Sequence, residues 1–233
     1  MIINKFGNFY KEYKRMPTIS EVLRHFNIRF IEMPLPAFAQ IEPTTRCNFN
    51  CITCTRKTLN PNRLNRDLTL EEFKIILDKI PTLKSIKLQG MGEPFLNPKL
   101  KSILEYGKEK GIVFTTICNG SLLEYKLDLL KYFSYIFVSF DSANKFNFEN
   151  IRKGSNFDII CQNLQSIIAY RNEHKLTNKI GLNSVITHLN YKEIPQIVKI
   201  ANDFKLDSVG FVEVENWSIP SEKNFIQDQK FIN

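Results

Sequence analysis

The chain has 233 residues, enough for one sizeable core, and its 43% hydrophobic and 24% charged content is an ordinary globular balance. Its 32 basic and 24 acidic residues leave a formal charge of +8, but no arginine-rich block or basic–aromatic stripe accompanies it. The excess therefore reads as a solvated lysine-rich surface rather than a nucleic-acid footprint, and no run of about eighteen apolar residues exists to span a bilayer.

Residues 1–33 are polar, basic and aromatic, without the apolar stretch of a secretory signal. They form an N-terminal extension in which Thr18 and Glu21, at capping-box spacing, start a short helix over 19–26. The prolines of MPLPAF (33–38) then break the chain, and a core domain is expected over 34–214. Its first strand spans 37–42. A helix follows, with Thr69 and Glu72 as capping box and Phe73, Ile76, Leu77 and Ile80 on one face. A strand over 84–89 leads to a helix that begins at Asn97 and Pro98 and stops at Gly111. The strand 112–118 precedes a helix capped by Ser121 and Glu124. Then come a strand over 132–140, a helix over 157–170 carrying Ile160, Leu164, Ile167 and Ile168, and a strand over 179–187. A helix over 191–204 after Asn190 and a strand over 208–214 complete the domain. The tail, 215–233, has no clear element.

Six strands alternating with five helices make this an α/β chain of parallel strands joined by right-handed crossovers. Periodicity admits either an open doubly wound sheet or an incomplete barrel. Both gather ligands beyond the carboxyl ends of their strands.

The five cysteines are odd in number, and three of them crowd into CNFNCITC (47–54), just after the first strand. An odd, crowded set argues against a disulfide framework and for thiolates gathered on a metal, in the cytoplasm. Cys47, Cys51 and Cys54 are spaced C-x3-C-x2-C. Thiolates select zinc or iron–sulfur clusters. Structural zinc uses four ligands, and no fourth Cys or His lies nearby in sequence. A cubane also takes four cysteines as a rule, so three would leave one iron open, which is a catalytic arrangement.

The triad after the first strand resembles the signature of the radical S-adenosylmethionine (radical SAM) superfamily. That resemblance implies a partial (β/α)6 barrel, a 4Fe-4S cluster on the three cysteines, and S-adenosylmethionine held at the open iron. It also implies reductive cleavage to a 5′-deoxyadenosyl radical that abstracts hydrogen from a second substrate, with a flavodoxin or ferredoxin as electron donor. GMGEP (90–94) resembles the family's glycine-rich motif. There Gly90, Met91 and Gly92 would bring backbone close to the methionyl amino group, and Glu93 would add negative charge. VSFDSA (138–143) resembles the S-x-D pattern, so Ser139 and Asp141 would act together on one face. In IRKGSNFD (151–158), Arg152 would clamp the cofactor carboxylate. Asn183, polar among apolar neighbours in the fifth strand, suits a ribose or adenine contact.

Three departures qualify the resemblance. Thr53 stands where relatives often carry an aromatic residue. CNG (118–120) is read as a strand-to-helix turn, with Cys118 not taken as a ligand. No cysteine follows Cys161, whereas the stretch from the triad through Asn183 resembles members that carry a C-terminal cysteine-rich domain (SPASM or twitch). Either one cluster suffices or the chain is a shortened version. The second substrate is expected to be a peptide or protein. The rival reading, a zinc-binding interaction module, needs a fourth ligand and gives no reason for GMGEP.

Overall fold

The computed structural model describes residues 35–214 together with Thr18 and Glu21. Thr18 and Glu21 make the reciprocal bonds of a capping box, the Thr18 N–H donating to Glu21 Oε2 at 2.8 Å and the Glu21 N–H to Thr18 Oγ1 at 3.4 Å. The rest of the helix expected over 19–26, and the tail 215–233, lie outside the described residues. The chain divides after Leu35 into two compact units, and the sheet belongs to the second.

Six strands form one sheet: β1 (Phe38–Ile41), β2 (Ser85–Leu88), β3 (Val113–Cys118), β4 (Phe133–Ser139), β5 (Lys179–Ile186) and β6 (Ser208–Glu213). Each pairs in parallel with the next in sequence, in the order β1-β2-β3-β4-β5-β6. This order decides between the two architectures. A doubly wound sheet reverses its strand order at a switch point, whereas sequential right-handed crossovers put every helix on the same face. With β1 and β6 both left as edges, the result is an incomplete barrel.

The helices of the described residues are α1 (Leu70–Lys79), α2 (Leu100–Glu109), α3 (Lys145–Ile151), α4 (Phe157–Glu173) and α5 (Ile194–Asp203). The start of α1 is the capping box its sequence predicts: Thr69 Oγ1 accepts from the Glu72 N–H at 3.1 Å, and Glu72 Oε2 from the Thr69 N–H at 2.9 Å. Its inward residues Phe73 and Leu77 are buried, as are Ile103 and Leu104 of α2 and Ile160, Leu164 and Ile167 of α4. On the sheet they meet Ile86, Leu88, Phe114, Ile136, Val138, Ile180 and Leu182. Each such aliphatic or aromatic side chain contributes about 1.5–3 kcal/mol by leaving water. In α2, Gly107 lies against the Phe114 ring so closely that a Cβ there would stand 2.2 Å from Cζ. Gly111, at φ +76°, ends the turn after α2 in a conformation that disfavours a side chain.

Two local expectations fail for physical reasons. Ser121 does not cap a helix with Glu124. The segment Leu123–Tyr132 is a kinked 3-10 helix without a side-chain cap, because the Ser121 hydroxyl is spent on Asn119 Oδ1 at 2.7 Å. Likewise Pro98 does not open α2. Pro94–Leu96 forms a separate 3-10 turn capped by Glu93, and α2 starts at Leu100.

Candidate active site

The loops after β1, β2 and β3 interlock at the carboxyl end of the sheet. After β1, Arg46 reaches across to Asp67 in an ion pair of 2.8 Å and donates to the Leu96 carbonyl at 2.6 Å, fixing the entry to the cysteine loop. The 90–94 segment lies on this same stretch. The Met91 N–H donates to Glu42 Oε1 at 2.6 Å and the Glu93 N–H to the Arg46 carbonyl at 2.7 Å. A Cβ on Gly90 would fall 2.3 Å from the Glu42 side chain, and one on Gly92 would fall 2.2 Å from the Thr44 carbonyl oxygen. Glycine is therefore demanded at 92 by the protein's own backbone and favoured at 90 by the Glu42 side chain, whichever ligand the loop takes. The Met91 thioether accepts from Thr55 Oγ1 at 3.6 Å, tying the segment to the turn after the third cysteine.

The cysteine loop is held from below and from the side. The Asn50 N–H donates to the Lys153 carbonyl at 2.7 Å and the Ile52 N–H to the Ile151 carbonyl at 2.9 Å. The IRKG stretch is thus a cradle for the loop, and a Cβ on Gly154 would come within 3.3 Å of the Asn48 carbonyl. Across the loop, Asn119 Nδ2 donates to Asn48 Oδ1 at 2.8 Å and lies 4.0 Å from Cys47 Sγ. Backbone N–H groups of Phe49 and Arg56 point at Cys47 Sγ and Cys54 Sγ, each at 3.4 Å.

Cys47, Cys51 and Cys54 are all half-buried and unbridged. Burial pushes the Cys51 thiol up to about 11, Arg152 opposing it, and burial also raises Cys47, where the Phe49 N–H opposes it. Each is raised further by the neighbouring cysteines, so the three sulfurs feel one another. Thiols distributed round one loop, with N–H groups directed at two of them, suit the separated corners of an iron–sulfur cluster. The donor set fits such a cluster. Cys118 cannot supply a fourth thiolate to this loop: it is buried on the helix-facing side of β3, level with Val138, and burial holds its thiol well above the ordinary range.

Glu93 is 2% exposed, and both of its oxygens are taken. Oε1 accepts from the Phe95 N–H at 3.2 Å and Oε2 from the Asn119 N–H at 2.6 Å. It staples the β2 loop to the β3 loop. Burial pushes its carboxyl up to about 7 against the pull of those N–H groups.

The expected partnership of Ser139 with Asp141, and of Arg152 with a cofactor carboxylate, takes a different form. Asp141 and Arg152 pair with each other at 2.8 Å, with side chains 1% and 9% exposed. Asp141 Oδ1 also accepts from the Val185 N–H at 2.8 Å. A buried carboxylate needs a cation, and Arg152 is the one in reach. Arg152 Nε remains buried without a partner, beside the cysteine loop whose Cys51 it stabilises. Ser139 stands instead level with Asn183 on β5, which stands level with Gly210 on β6, and both side chains are half-buried.

Several site-forming residues carry no motif of their own. Asn190 donates to the Asp141 carbonyl at 2.6 Å and accepts from the Thr187 N–H at 2.7 Å. Glu193 accepts from Ser142 Oγ at 2.5 Å, the Ala143 N–H at 2.8 Å and Asn147 Nδ2 at 2.6 Å. Asn119 was visible only as part of a turn. At the opposite, amino end of β3–β5 a cavity of about 400 Å³ is lined by residues such as Lys108, Lys131 and Asn178. It lies away from the cysteine loop.

The pattern of the Radical SAM superfamily matches residues 41–201, most of the chain. The chain belongs to that superfamily of enzymes, whose cofactors are a 4Fe-4S cluster and S-adenosylmethionine. Among its relatives is the tungsten-containing aldehyde ferredoxin oxidoreductase cofactor-modifying protein of Pyrococcus furiosus, 28% identical over 187 residues, covering 74% of this chain and 50% of the relative. Another is the antilisterial bacteriocin subtilosin biosynthesis protein AlbA of Bacillus subtilis, 30% identical over 142 residues, covering 58% and 31%. The fold is similar to Streptococcus suis SuiB bound to precursor peptide SuiA, at a TM-score of 0.66 and 19% identity, covering 84% of this chain and 42% of SuiB. The chain spans half or less of the length of these curated relatives.

Proposed function

We propose that this chain is the core of an enzyme that cleaves S-adenosylmethionine reductively and uses the resulting 5′-deoxyadenosyl radical to remove a hydrogen atom from a peptide or protein. The observation that carries the reading is the interlock at the carboxyl end of the sheet, where the cysteine loop, the 90–94 segment and Asn119 are bonded into one unit. The cluster, when bound, supplies the electron for that cleavage. In this reading Cys47, Cys51 and Cys54 hold it. The Phe49 and Arg56 N–H groups and Asn119 stabilise thiolate charge. Gly90, Met91 and Gly92 offer backbone to the methionyl end, and Ser139 and Asn183 offer polar groups to the nucleoside end. Glu93, Asp141 and Arg152 are positioning residues that keep those loops in place. A flavodoxin or ferredoxin would deliver the electron.

The peptide class rests on two relatives: AlbA by its role in bacteriocin biosynthesis and SuiB by the precursor peptide bound to it. The test is anaerobic reconstitution with iron and sulfide, followed by dithionite and S-adenosylmethionine. Release of 5′-deoxyadenosine is expected, and its absence from a cluster-loaded protein would overturn the reading.

A further inference from the structure

The inner face of the sheet, opposite the helices, carries a row of side chains fixed by strand register. Gln40 of β1 stands level with Lys87 of β2, Lys87 with Thr115 of β3, and Thr115 with Tyr135 of β4. All but exposed Gln40 are half-buried. Lys87 is the charged member at the middle of this row, and it has no ion-pair partner among the described residues. Two other charged residues stand close to the row. Glu42, one pleat nearer the carboxyl end, is taken by Arg63 at 3.1 Å and by the Met91 N–H. Lys179, level with Tyr135, adds positive charge rather than neutralising it. Burial lowers the Lys87 ammonium from its ordinary range, and no carboxylate opposes that cost. Two residues on, alternation places Gln89 on the same face, and its Oε1 is buried without a partner. Further across, Tyr135 stacks on Phe137 at 4.1 Å and bonds to the Ser208 hydroxyl, and Phe137 covers Gly181. The wall beyond Lys87 is therefore flat and aromatic.

A half-buried lysine without a counter-ion is costly, and proteins normally pair one or expose it. Here it sits on the concave face of an incomplete barrel, below the end where the cysteine loop lies. Resting on the radical-enzyme reading above, we propose that Lys87 anchors an anionic group, carboxylate or phosphate, of the second substrate, with Gln89 as a neighbouring polar contact. For a peptide substrate this means an acidic side chain or a C-terminal carboxylate, steered into the barrel by charge and laid against the Tyr135–Phe137 wall.

The test uses the cluster-loaded protein labelled with 13C-lysine, titrated with acetate and, separately, with inorganic phosphate. The Lys87 resonance is assigned by its loss in Lys87→Gln. It should shift saturably, well beyond the shift of exposed Lys108, and the anion that binds more tightly identifies carboxylate or phosphate as the substrate group. Binding of that anion, read by calorimetry, should weaken about tenfold in Lys87→Gln. A Lys87 resonance that moves no more than that of Lys108 with either anion would overturn the anchor. Release of 5′-deoxyadenosine by the unsubstituted preparation reports on the enzyme reading separately. Release without a Lys87 response removes only the anchor, and a Lys87 response without release removes the radical reading on which the substrate role rests.

Discussion

The two halves of the sheet's carboxyl edge are built by different means. Around β1–β3 backbone N–H groups make many of the joins, Met91 to the Glu42 carboxylate, Glu93 to the Arg46 carbonyl and Asn119 to the Glu93 carboxylate, and Gly92 sits where backbone crowds backbone. Around β4–β5 the loops are joined by buried side chains: the Asp141–Arg152 pair, Asn190 between strands, and Glu193 reaching back to residues 142–147. The difference teaches where each half is vulnerable. The first half is most vulnerable to volume added at its glycines, and the second to loss of a charge or an amide.

The largest effect should come from the first half's reactive loop itself: Cys51→Ala should abolish cluster assembly and all S-adenosylmethionine cleavage, read by visible absorbance and 5′-deoxyadenosine release. In the second half, Asp141→Asn leaves the Arg152 guanidinium buried and uncompensated, and should cost about 3–5 kcal/mol in urea unfolding. A loss under about 1 kcal/mol would mean that the pair is not what holds these loops.

Glu93 sharpens the comparison because it is the one buried carboxylate of the first half whose ionisation burial opposes so strongly. Its carboxyl is raised from an ordinary 4.5 to about 7, so the folded chain holds that proton more tightly than the unfolded chain does. The resulting stabilisation is complete below about pH 4.5 and is lost as pH rises through 7, a change of about 3 kcal/mol. Glu93→Gln should flatten that part of the stability–pH profile, and an unchanged slope would assign it to other groups. Gly92→Ala forces a Cβ onto the Thr44 carbonyl and should cost about 1–3 kcal/mol while weakening S-adenosylmethionine binding. Gly111→Ala, at positive φ in open space far from the interlock, should cost about 1 kcal/mol and leave binding intact.

The same division explains what could be read from sequence. The α1 capping box, the apolar periods and the strand alternation are local, and the alternation of strands with helices follows from them. The cysteine triad and GMGEP are legible because their residues are adjacent in the chain. The sheet order was not legible in the periodicity, which is blind to which strand neighbours which; the resemblance alone implied the partial barrel that the order β1 to β6 forms. Helix α3 went unread because its Phe148 and Ile151 are too few to set a period. Asp141 and Arg152 were each singled out, but their mutual pairing joins residues eleven apart in sequence through a shared burial that no short motif records. The Asn190 and Glu193 bonds reach across about fifty residues, and an asparagine or glutamate of that kind looks like any surface residue until the strands are placed. Ser121 illustrates the converse: its spacing to Glu124 suggests a cap, but Asn119 outcompetes the helix for its hydroxyl.

The most direct test of the central claim is the metal content of the anaerobically reconstituted protein, assayed for iron, acid-labile sulfide and zinc in competition, beside Cys51→Ala. The account predicts a brown, air-bleached protein with iron and sulfide in equal amounts, zinc excluded, and neither in the variant. A colourless protein that takes one tightly held zinc and no sulfide would contradict it.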